Sequence, residues 1–324
     1  MNNYIQNRYD FVFLYDVKDG NPNGDPEFDN QPRIDFETRN GIVSDVCIKR
    51  KVRNYVQLKV AAGELSADNY DIFIRQGQLP LNNIISVERE KAKGDEEKGR
   101  IGMCDKYYDI RTFGAVLSTG DALKDDDDTA EEETENKEVK KKGKKKGNKK
   151  GLGVVRGPVQ FVFSRSIDPI DSKTHSITRC CVTKEEDEEK RNTFGNKSTV
   201  SYGLYRMYGY VSAFDGIKYH FTEDDLKLLW EALVNAFEHD HSAARGEMNA
   251  RALIVFKHNS KLGNARSSQL FELVKISKKK DEKGNEIEFP RSYEDYIVFL
   301  NKKELPKGVE VDTSYLPEGV IVEE

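Results

Sequence analysis

Four carboxylates lie close together in one loop near the start of the chain. They are Asp25, Glu27, Asp29 and Asp35. Carboxylate oxygens are the ligands that Mg²⁺ prefers, and a bound magnesium ion can activate water for attack on a phosphodiester. The same loop contains Asn-Pro-Asn-Gly at residues 21–24, which is typical of a turn that needs no metal. Because the carboxylates follow no fixed ligand spacing, we favour turn and capping roles and keep metal-dependent cleavage as the alternative.

A second group of metal-binding residue types, His239, Asp240 and His241, follows a predicted helix. Two histidines separated by one residue can bind a metal, but the neighbouring sequence supplies no third ligand at a zinc-site spacing. Histidines near a helix C-terminus are also stabilised by the helix dipole and by hydrogen bonds to the last carbonyls. We therefore predict a structural role for these residues, and no metal or cofactor.

Several common catalytic motifs do not occur in the sequence. It contains no G-x-S-x-G, no P-loop, no G-x-G-x-x-G and no H-E-x-x-H. Hydrolases, nucleotidases and dehydrogenases that depend on these loops are therefore not indicated.

Basic residues are concentrated in three stretches, although the whole chain has a formal net charge of −5. Residues 39–59, 191–206 and 245–266 carry formal charges of +5, +3 and +4, which leaves −17 for the rest of the chain. Lysine and arginine neutralise phosphates, and neighbouring aromatic rings stack on unpaired bases, so these stretches suit a single-stranded nucleic acid. Ordinary solvated faces have a similar composition, and local charge alone leaves both interpretations open.

Alternating strands and helices are predicted to position these residues. Apolar runs rich in β-forming residues predict strands at residues 9–17, 70–75, 158–164, 176–183, 202–213 and 253–256. Helical spacing of apolar residues predicts helices at residues 45–60, 107–117 and 223–237, and a mixed segment follows at 293–300. This order predicts an α+β domain with helices on one face of a sheet. A ferredoxin-like or RNA-recognition-motif core with insertions fits it best.

Two of the predicted helices have well-defined faces. In the helix 45–60, which Ser44 opens, an apolar face lies beside a basic sector. The apolar face contains Ile48, Val52, Tyr55 and Val56, and the basic sector contains Lys49, Arg50 and Arg53. The helix 223–237 has Thr222 as its predicted N-cap, with Asp225 three residues later, and a continuous apolar stripe that we assign to the core.

The most biased segment is residues 121–150, with ten acidic and ten basic residues. It has too few apolar residues to form a core, and we predict a disordered insertion rather than a lysine tail that binds nucleic acid. Cys47, Cys104, Cys180 and Cys181 form no C-x-x-C spacing, which predicts free thiols. No apolar run is long enough to span a bilayer, and we expect a cytoplasmic protein without a membrane partner.

Nine sequence strings between residues 21 and 265 carry a resemblance that covers most of the chain. They closely resemble the backbone subunit of the type I CRISPR surveillance complex Cascade, of the RAMP superfamily, and the subtype I-C version in particular. The strings are NPNGDP, NQPRID, SDVCIKRKVRNYV, YYDIRTFGAV, RGPVQF, HSITR, TFGNKSTVSYGLYRMYGYV, LLWEALVNAFEHDHSAARGEM and LIVFKHNSKLGNA.

The resemblance implies one modified RNA-recognition-motif palm domain over residues 1–324, with finger and thumb insertions and a thumb segment at 184–200. It also implies a non-catalytic structural subunit. Several copies assemble head-to-tail along a guide RNA, hold its backbone, present its bases to target DNA and bind other Cascade subunits. Related type III subunits cut target RNA with an aspartate in the corresponding loop. A metal-dependent RNA endonuclease using Asp25, Asp29 or Asp35 is therefore the alternative.

The matching motifs also imply which residues bind RNA. The basic helix is similar to the main RNA-contacting helix of the family, which assigns that role to Ser44, Lys49, Arg50 and Arg53. The loop motifs add two further contacts, Asn21 in NPNGDP and Arg33 in NQPRID. In the thumb segment the expected contacts are Arg191, Lys197 and Phe194, with Phe194 as a wedge between nucleotides.

Overall fold

A computed structural model describes residues 3–77, 80–117, 151–178, 194–312, 314–315 and 320–323. The predicted insertion at 121–150 and most of the segment 184–200, including Arg191, lie outside the described residues. The same holds for Cys180 and Cys181.

The described residues form fifteen strands. In chain order they are β1 (Tyr9–Gly20), β2 (Gly24–Asp25), β3 (Gln31–Pro32), β4 (Asn40–Val43), β5 (Ala115–Leu117), β6 (Gly153–Val155), β7 (Val159–Phe161), β8 (Ser164–Pro169), β9 (Ser172–Thr178), β10 (Phe194–Val211), β11 (Glu247–His258), β12 (Val274–Lys278), β13 (Tyr296–Asn301), β14 (Val309–Asp312) and β15 (Val320–Glu323).

Eight helices accompany these strands in the described ranges. They are α1 (Asp45–Ala61), α2 (Ala67–Tyr70), α3 (Leu81–Lys91), α4 (Glu96–Lys106), α5 (Tyr108–Phe113), α6 (Ala213–Lys218), α7 (Glu223–Val234) and α8 (Ser267–Glu272). Short 3-10 turns occur at Pro26–Phe28 and Tyr293–Asp295. None of the described helices is both long and apolar enough to cross a membrane.

An eight-stranded antiparallel sheet forms the centre of the fold. Its order is β14-β11-β1-β10-β8-β4, and β7 and β9 also pair with the long strand β10. A smaller sheet has the order β12-β13-β15. The fold is therefore a mixed α/β arrangement around a central antiparallel sheet, which agrees at this level with the predicted α+β class.

Both faces of the central sheet are buried. Alternate side chains of β1, such as Phe11 and Phe13, join one core cluster with α1 and α7. The side chains between them, Val12 and Leu14, join a second cluster with α8, β12 and β13. Since successive strand residues point to opposite faces, this double burial explains why β1 is apolar without alternation. A third cluster lies among α3, α4 and α5.

The strands predicted at 9–17 and 253–256 are confirmed within β1 and β11. The strand predicted at 202–213 is confirmed as part of β10 up to Val211, and α6 begins at Ala213. The three strands lie side by side in the sheet. The helices predicted at 45–60 and 223–237 are confirmed as α1 and α7, and Thr222 and Asp225 form a reciprocal capping box. Cys47 and Cys104 are free thiols, as predicted.

The strand predicted at 70–75 is wrong. Helix α2 ends at Tyr70, and the segment that follows pairs with the rest of the chain through an isolated β-bridge from Asp71 to Tyr107 instead of a strand. The amides of Phe73 and Ile74 donate to the Asp109 carboxylate, at 2.8 and 3.1 Å. A buried carboxylate thus satisfies backbone groups that a neighbouring strand would otherwise satisfy.

The other predicted elements are confirmed in part. The helix predicted at 107–117 ends at Phe113, because Gly114 has φ +82° and a Cβ there would lie 2.3 Å from the Val155 carbonyl oxygen. The strand predicted at 158–164 is split into β7 and β8, and the Phe163 side chain between them is 56% exposed. The strand predicted at 176–183 begins earlier, as β9, and residues 179–183 lie outside the described residues. The mixed segment 293–300 is a 3-10 turn followed by β13.

Candidate nucleic-acid interface

A groove of about 860 Å³ lies between helix α1, the loop that follows β1 and the loop that precedes β11. It brings together five of the residues assigned to RNA binding, which are Asn21, Ser44, Lys49, Arg50 and Arg53. Its lining contains six cationic side chains and one carboxylate: Lys49, Arg50, Lys51, Arg53, Arg75, Arg245 and Asp240. This excess of positive charge suits a polyanion.

The first turn of α1 is joined to the loop after β1 by one amide side chain. The backbone N–H and the hydroxyl of Ser44 both donate to Asn23 Oδ1, each at 2.9 Å. Ser44 occupies the N-cap position, as predicted, but its hydroxyl makes no capping bond to the helix. The loop that carries Asn21 is therefore held at a defined position beside the basic helix.

The groove cations of α1 differ in how far their charges are already balanced. Lys49 forms an ion pair with Asp45 one turn earlier, at 2.8 Å. Arg50 donates to the neutral amide oxygen of Gln76 at 3.2 Å and forms no ion pair within the described residues. Arg50 therefore has the most readily available charge on this helix.

The other two α1 cations lie deeper. Arg53 is buried, and its Nε donates to Asp109 Oδ2 at 2.8 Å. Its guanidinium lies over the Phe113 ring, 5.4 Å from the ring centroid. Lys51 is also buried and pairs with Asp240, and its burial lowers the pKa of the ammonium group. Arg53 and Lys51 thus form the floor of the groove.

Two of the four loop carboxylates, Asp25 and Asp35, have structural partners. Asp25 accepts from the amide of Glu27 and pairs with Arg33 at 3.2 Å. Asp35 accepts from two following amides and pairs with Arg165 at 2.7 Å, and these hydrogen bonds lower the pKa of its carboxyl. These contacts are the turn and capping roles favoured from the sequence. No group of three or more His, Cys, Asp or Glu side chains that could hold a metal occurs in the described ranges.

The remaining assigned residues lie elsewhere. Arg33 does not line the groove and instead pairs with Asp25. Lys197 lies on β10, opposite His175 of β9, and is also outside the groove lining. Phe194 begins β10 in the same ribbon. The structure therefore places Phe194 and Lys197 on the β9–β10 ribbon, outside the groove lining, and Arg33 beside the groove, where its backbone N–H donates to the carbonyl of Asn23 at 3.2 Å.

Several groove residues were absent from the sequence-based assignment of RNA-binding residues, among them Asn23, Arg245 and Gln76. Asn23 lies in the motif NPNGDP, and Arg245 lies in the third basic stretch, so the sequence contained a signal for both. Gln76 had no such signal, because it lies in no motif or basic stretch and directly follows the segment 70–75 that was predicted to be a strand.

Comparisons with known proteins match this chain to CRISPR proteins. Residues 7–301 match the family model described as CRISPR-associated protein Cas7. A CRISPR-associated protein Cas7 from Haloferax volcanii is 26% identical over 243 residues, which are 71% of this chain. The match spans 65% of that relative's own length, which is less than two thirds.

Three solved structures give weaker likenesses, each with a TM-score below 0.5. A chain of a CRISPR RNA-guided surveillance complex in a pre-nicking state has a TM-score of 0.43 and 12% identity, over 77% of this chain and 75% of that chain. A chain of another CRISPR RNA-guided surveillance complex has a TM-score of 0.41 and 10% identity, over 98% of this chain and 94% of that chain. A chain of the type III-B Cmr-beta complex bound to cognate target RNA has a TM-score of 0.39 and 11% identity, over 77% of this chain and 61% of that chain. The family match over residues 7–301 shows that the chain belongs to the Cas7 family of CRISPR-associated proteins.

Proposed function

We propose that this chain is a non-catalytic backbone subunit of a CRISPR surveillance complex, of subtype I-C, that works in the cytoplasm. Several copies bind head-to-tail along one guide RNA, present its bases to target DNA and contact other subunits of the complex. The observation that carries the proposal is the basic groove beside α1, in which five residues assigned from the family resemblance lie together.

The groove chemistry supports contact with the RNA backbone rather than with particular bases. Its polar lining consists mainly of lysine, arginine and asparagine side chains, which donate hydrogen bonds to phosphate and sugar oxygens. A subunit that carries many different guides needs such contacts, because the guide sequence changes while the protein does not. The available cation Arg50 is the first phosphate contact in this proposal, with Lys49, Asn21 and Ser44 beside it.

The sheet supports the finer proposal of a modified RNA-recognition-motif palm. In the order β11-β1-β10, strands on either side of β1 are antiparallel to it, and α1 and α7 share one core cluster with β1. A split β-α-β arrangement with two helices on one face has this order. We assign residues 1–324 to one such domain, the helices α2–α5 to a finger, and the β9–β10 ribbon with residues 184–200 to a thumb.

The proposed groove is tested by substituting the α1 cations that are not needed for folding. The double variant Lys49→Gln and Arg50→Gln removes two phosphate contacts, and leaves the buried pair of Arg53 and Asp109 intact. We expect the slope of log K against log salt for single-stranded guide RNA to fall by about 1.4, from about 0.7 per contact. The measurement is fluorescence anisotropy with nucleic-acid-free protein over a range of salt concentrations.

A matched control removes the same charge away from the groove. Lys98 and Lys227 have 79% and 72% exposed side chains and do not line the groove. The variant Lys98→Gln and Lys227→Gln is expected to keep the wild-type slope. If both double variants bind RNA as the wild type does, α1 is not part of the interface and the proposal is wrong.

A further inference from the structure

The wall of the groove opposite α1 is held in place by close backbone contacts. The amide of Asn21 donates to the carbonyl of Ala244 at 2.8 Å. A Cβ on Gly20 would lie 1.7 Å from the carbonyl oxygen of Arg245, and Gly246 has φ +62° with a Cβ position 2.4 Å from the Lys18 carbonyl oxygen. Two glycines thus allow the backbone at Arg245 to lie directly against the end of β1.

The Arg245 side chain is oriented by a carboxylate that is shared with the groove floor. Asp240 Oδ2 forms an ion pair with Arg245 Nε at 3.0 Å, and the same oxygen pairs with Lys51. The Lys51 side chain is 2% exposed, Asp240 16% and Arg245 32%. The Asp240 carboxylate therefore balances the charge of the buried Lys51 ammonium group. It also holds the partly exposed Arg245 guanidinium in place.

The free end of the Arg245 guanidinium is suited to a phosphate. Nε lies in an ion pair with Asp240, and no hydrogen bond of the two terminal nitrogens occurs within the described residues. The two terminal nitrogens of an arginine carry four N–H donors in a planar fork, and this fork matches two oxygens of a phosphodiester. Because Arg245 lines the groove together with Arg50, both can contact the same strand from different sides.

We infer that Arg245 is a further phosphate-binding residue of the groove and that Asp240 is the residue that positions it. The inference rests on the proposed function, since the phosphates are those of the guide RNA. It also explains the single carboxylate among the groove-lining residues. Asp240 lowers the positive charge of the groove, but it holds Arg245 in place for RNA binding.

The positioning role of Asp240 and a simple effect of charge predict opposite changes in RNA affinity for the variant Asp240→Asn. Asp240→Asn adds one positive charge to the groove, so a simple electrostatic effect would tighten RNA binding. Loss of the carboxylate releases Arg245, so we expect Asp240→Asn to weaken binding. Asp45→Asn is the charge-matched control, because Asp45 pairs with Lys49 and does not contact Arg245. We expect Asp45→Asn to bind RNA as tightly as the wild type or more tightly.

Arg245→Gln tests the contact itself while the Lys51 and Asp240 pair remains. For single-stranded guide RNA we expect about a tenfold loss of affinity and a salt slope smaller by about 0.7. Arg245→Lys is expected to keep the slope and to lose part of the affinity, since lysine has no planar fork. In the Arg245→Gln background, Asp240→Asn should cause little further loss, because Asp240 acts through Arg245.

The assay is fluorescence anisotropy of the nucleic-acid-free full chain with labelled repeat–spacer RNA, and thermal unfolding of each variant is the control for folding. Unchanged affinity and slope for Arg245→Gln would overturn the inference, whether or not Asp240→Asn folds. Tighter binding by a folded Asp240→Asn variant would also overturn the positioning role. Arg50→Gln is measured in parallel. If it weakens binding and Arg245→Gln does not, this inference alone is wrong, whereas no effect of either variant contradicts the proposed function.

Discussion

Replacing Asp109 by asparagine tests how the floor of the groove is supported. The Asp109 carboxylate is 1% exposed and accepts three hydrogen bonds. Oδ2 accepts from Arg53 Nε and from the amide of Ile74, and Oδ1 accepts from the amide of Phe73. An asparagine has a single acceptor oxygen. In either orientation its NH₂ group therefore faces at least one N–H donor, and the charge of Arg53 loses its partner.

The magnitude follows from this geometry. Removal of one partner of a buried ion pair typically costs about 3–5 kcal/mol, because the other charge stays buried without compensation. With an entropy of unfolding of about 2.1 cal/mol/K per residue, this corresponds for a chain of 324 residues to a fall in Tm of roughly 4–7 °C. The disturbed residues lie at the groove floor, so we also expect weaker guide RNA binding. The measurements are differential scanning calorimetry and fluorescence anisotropy.

A matched Asp→Asn substitution separates the buried pair from a general effect of charge. Asp224 has a 71% exposed side chain and pairs with Lys227 at 3.3 Å. Such surface pairs contribute about 0–1 kcal/mol, so Asp224→Asn should leave Tm nearly unchanged. If Asp109→Asn lowers Tm no more than Asp224→Asn does, Asp109 does not support the groove floor as described.

Three further predictions concern the groove wall, alkaline stability and the charged insertion. Gly20→Ala places a Cβ where the Arg245 carbonyl oxygen lies, so we expect a lower Tm and weaker RNA binding, and normal values of both would contradict the described contact. Burial raises the pKa of the Cys104 thiol from 9.0 to about 12, so its contribution to stability is present below pH 9 and is lost between pH 9 and about 12. We therefore expect Tm to fall less for Cys104→Ala than for the wild type between about pH 8 and about pH 12. Equal falls in Tm would contradict this prediction. Deletion of residues 121–150 should leave guide RNA affinity unchanged in the anisotropy assay, and a large loss would instead indicate a lysine tail that binds nucleic acid.

Elements with a strong apolar pattern were predictable from the sequence. The unbroken apolar run of β1 and the helical stripes of α1 and α7 predicted those elements near their observed bounds. In these segments local periodicity and burial in the core favour the same structure, so a single window of sequence is enough.

The segment around Phe73 was not predictable in this way. Its β-forming residues favoured a strand, but its amides bind Asp109, which lies 36 residues from Phe73 in the chain. The end of the helix predicted at 107–117 was misplaced for a similar reason, because Gly114 approaches the carbonyl of Val155. Contacts between residues far apart in the chain decide both cases, and no local pattern contains them.

The candidate groove was likewise only partly predictable from the sequence. The basic sector of α1 was visible from helical spacing, and the family resemblance assigned Lys49 and Arg50 on that face. The opposite wall was not assigned, because Asp240 meets Lys51 across 189 residues and Arg245 carried only the weak signal of a basic stretch. Only the fold shows that this acid and this base act together.

The central claim is that this chain binds the phosphodiester backbone of the guide RNA, whatever the sequence of the guide. The most direct measurement is sequencing of the RNA that co-purifies with the full chain when it is expressed together with a repeat–spacer array of many different spacers. We predict repeat–spacer fragments in which the spacers occur in proportion to their abundance in the cell, and their loss from the Lys49→Gln and Arg50→Gln double variant. Recovery of unrelated cellular RNA, of no RNA, or of one preferred spacer sequence would contradict the claim.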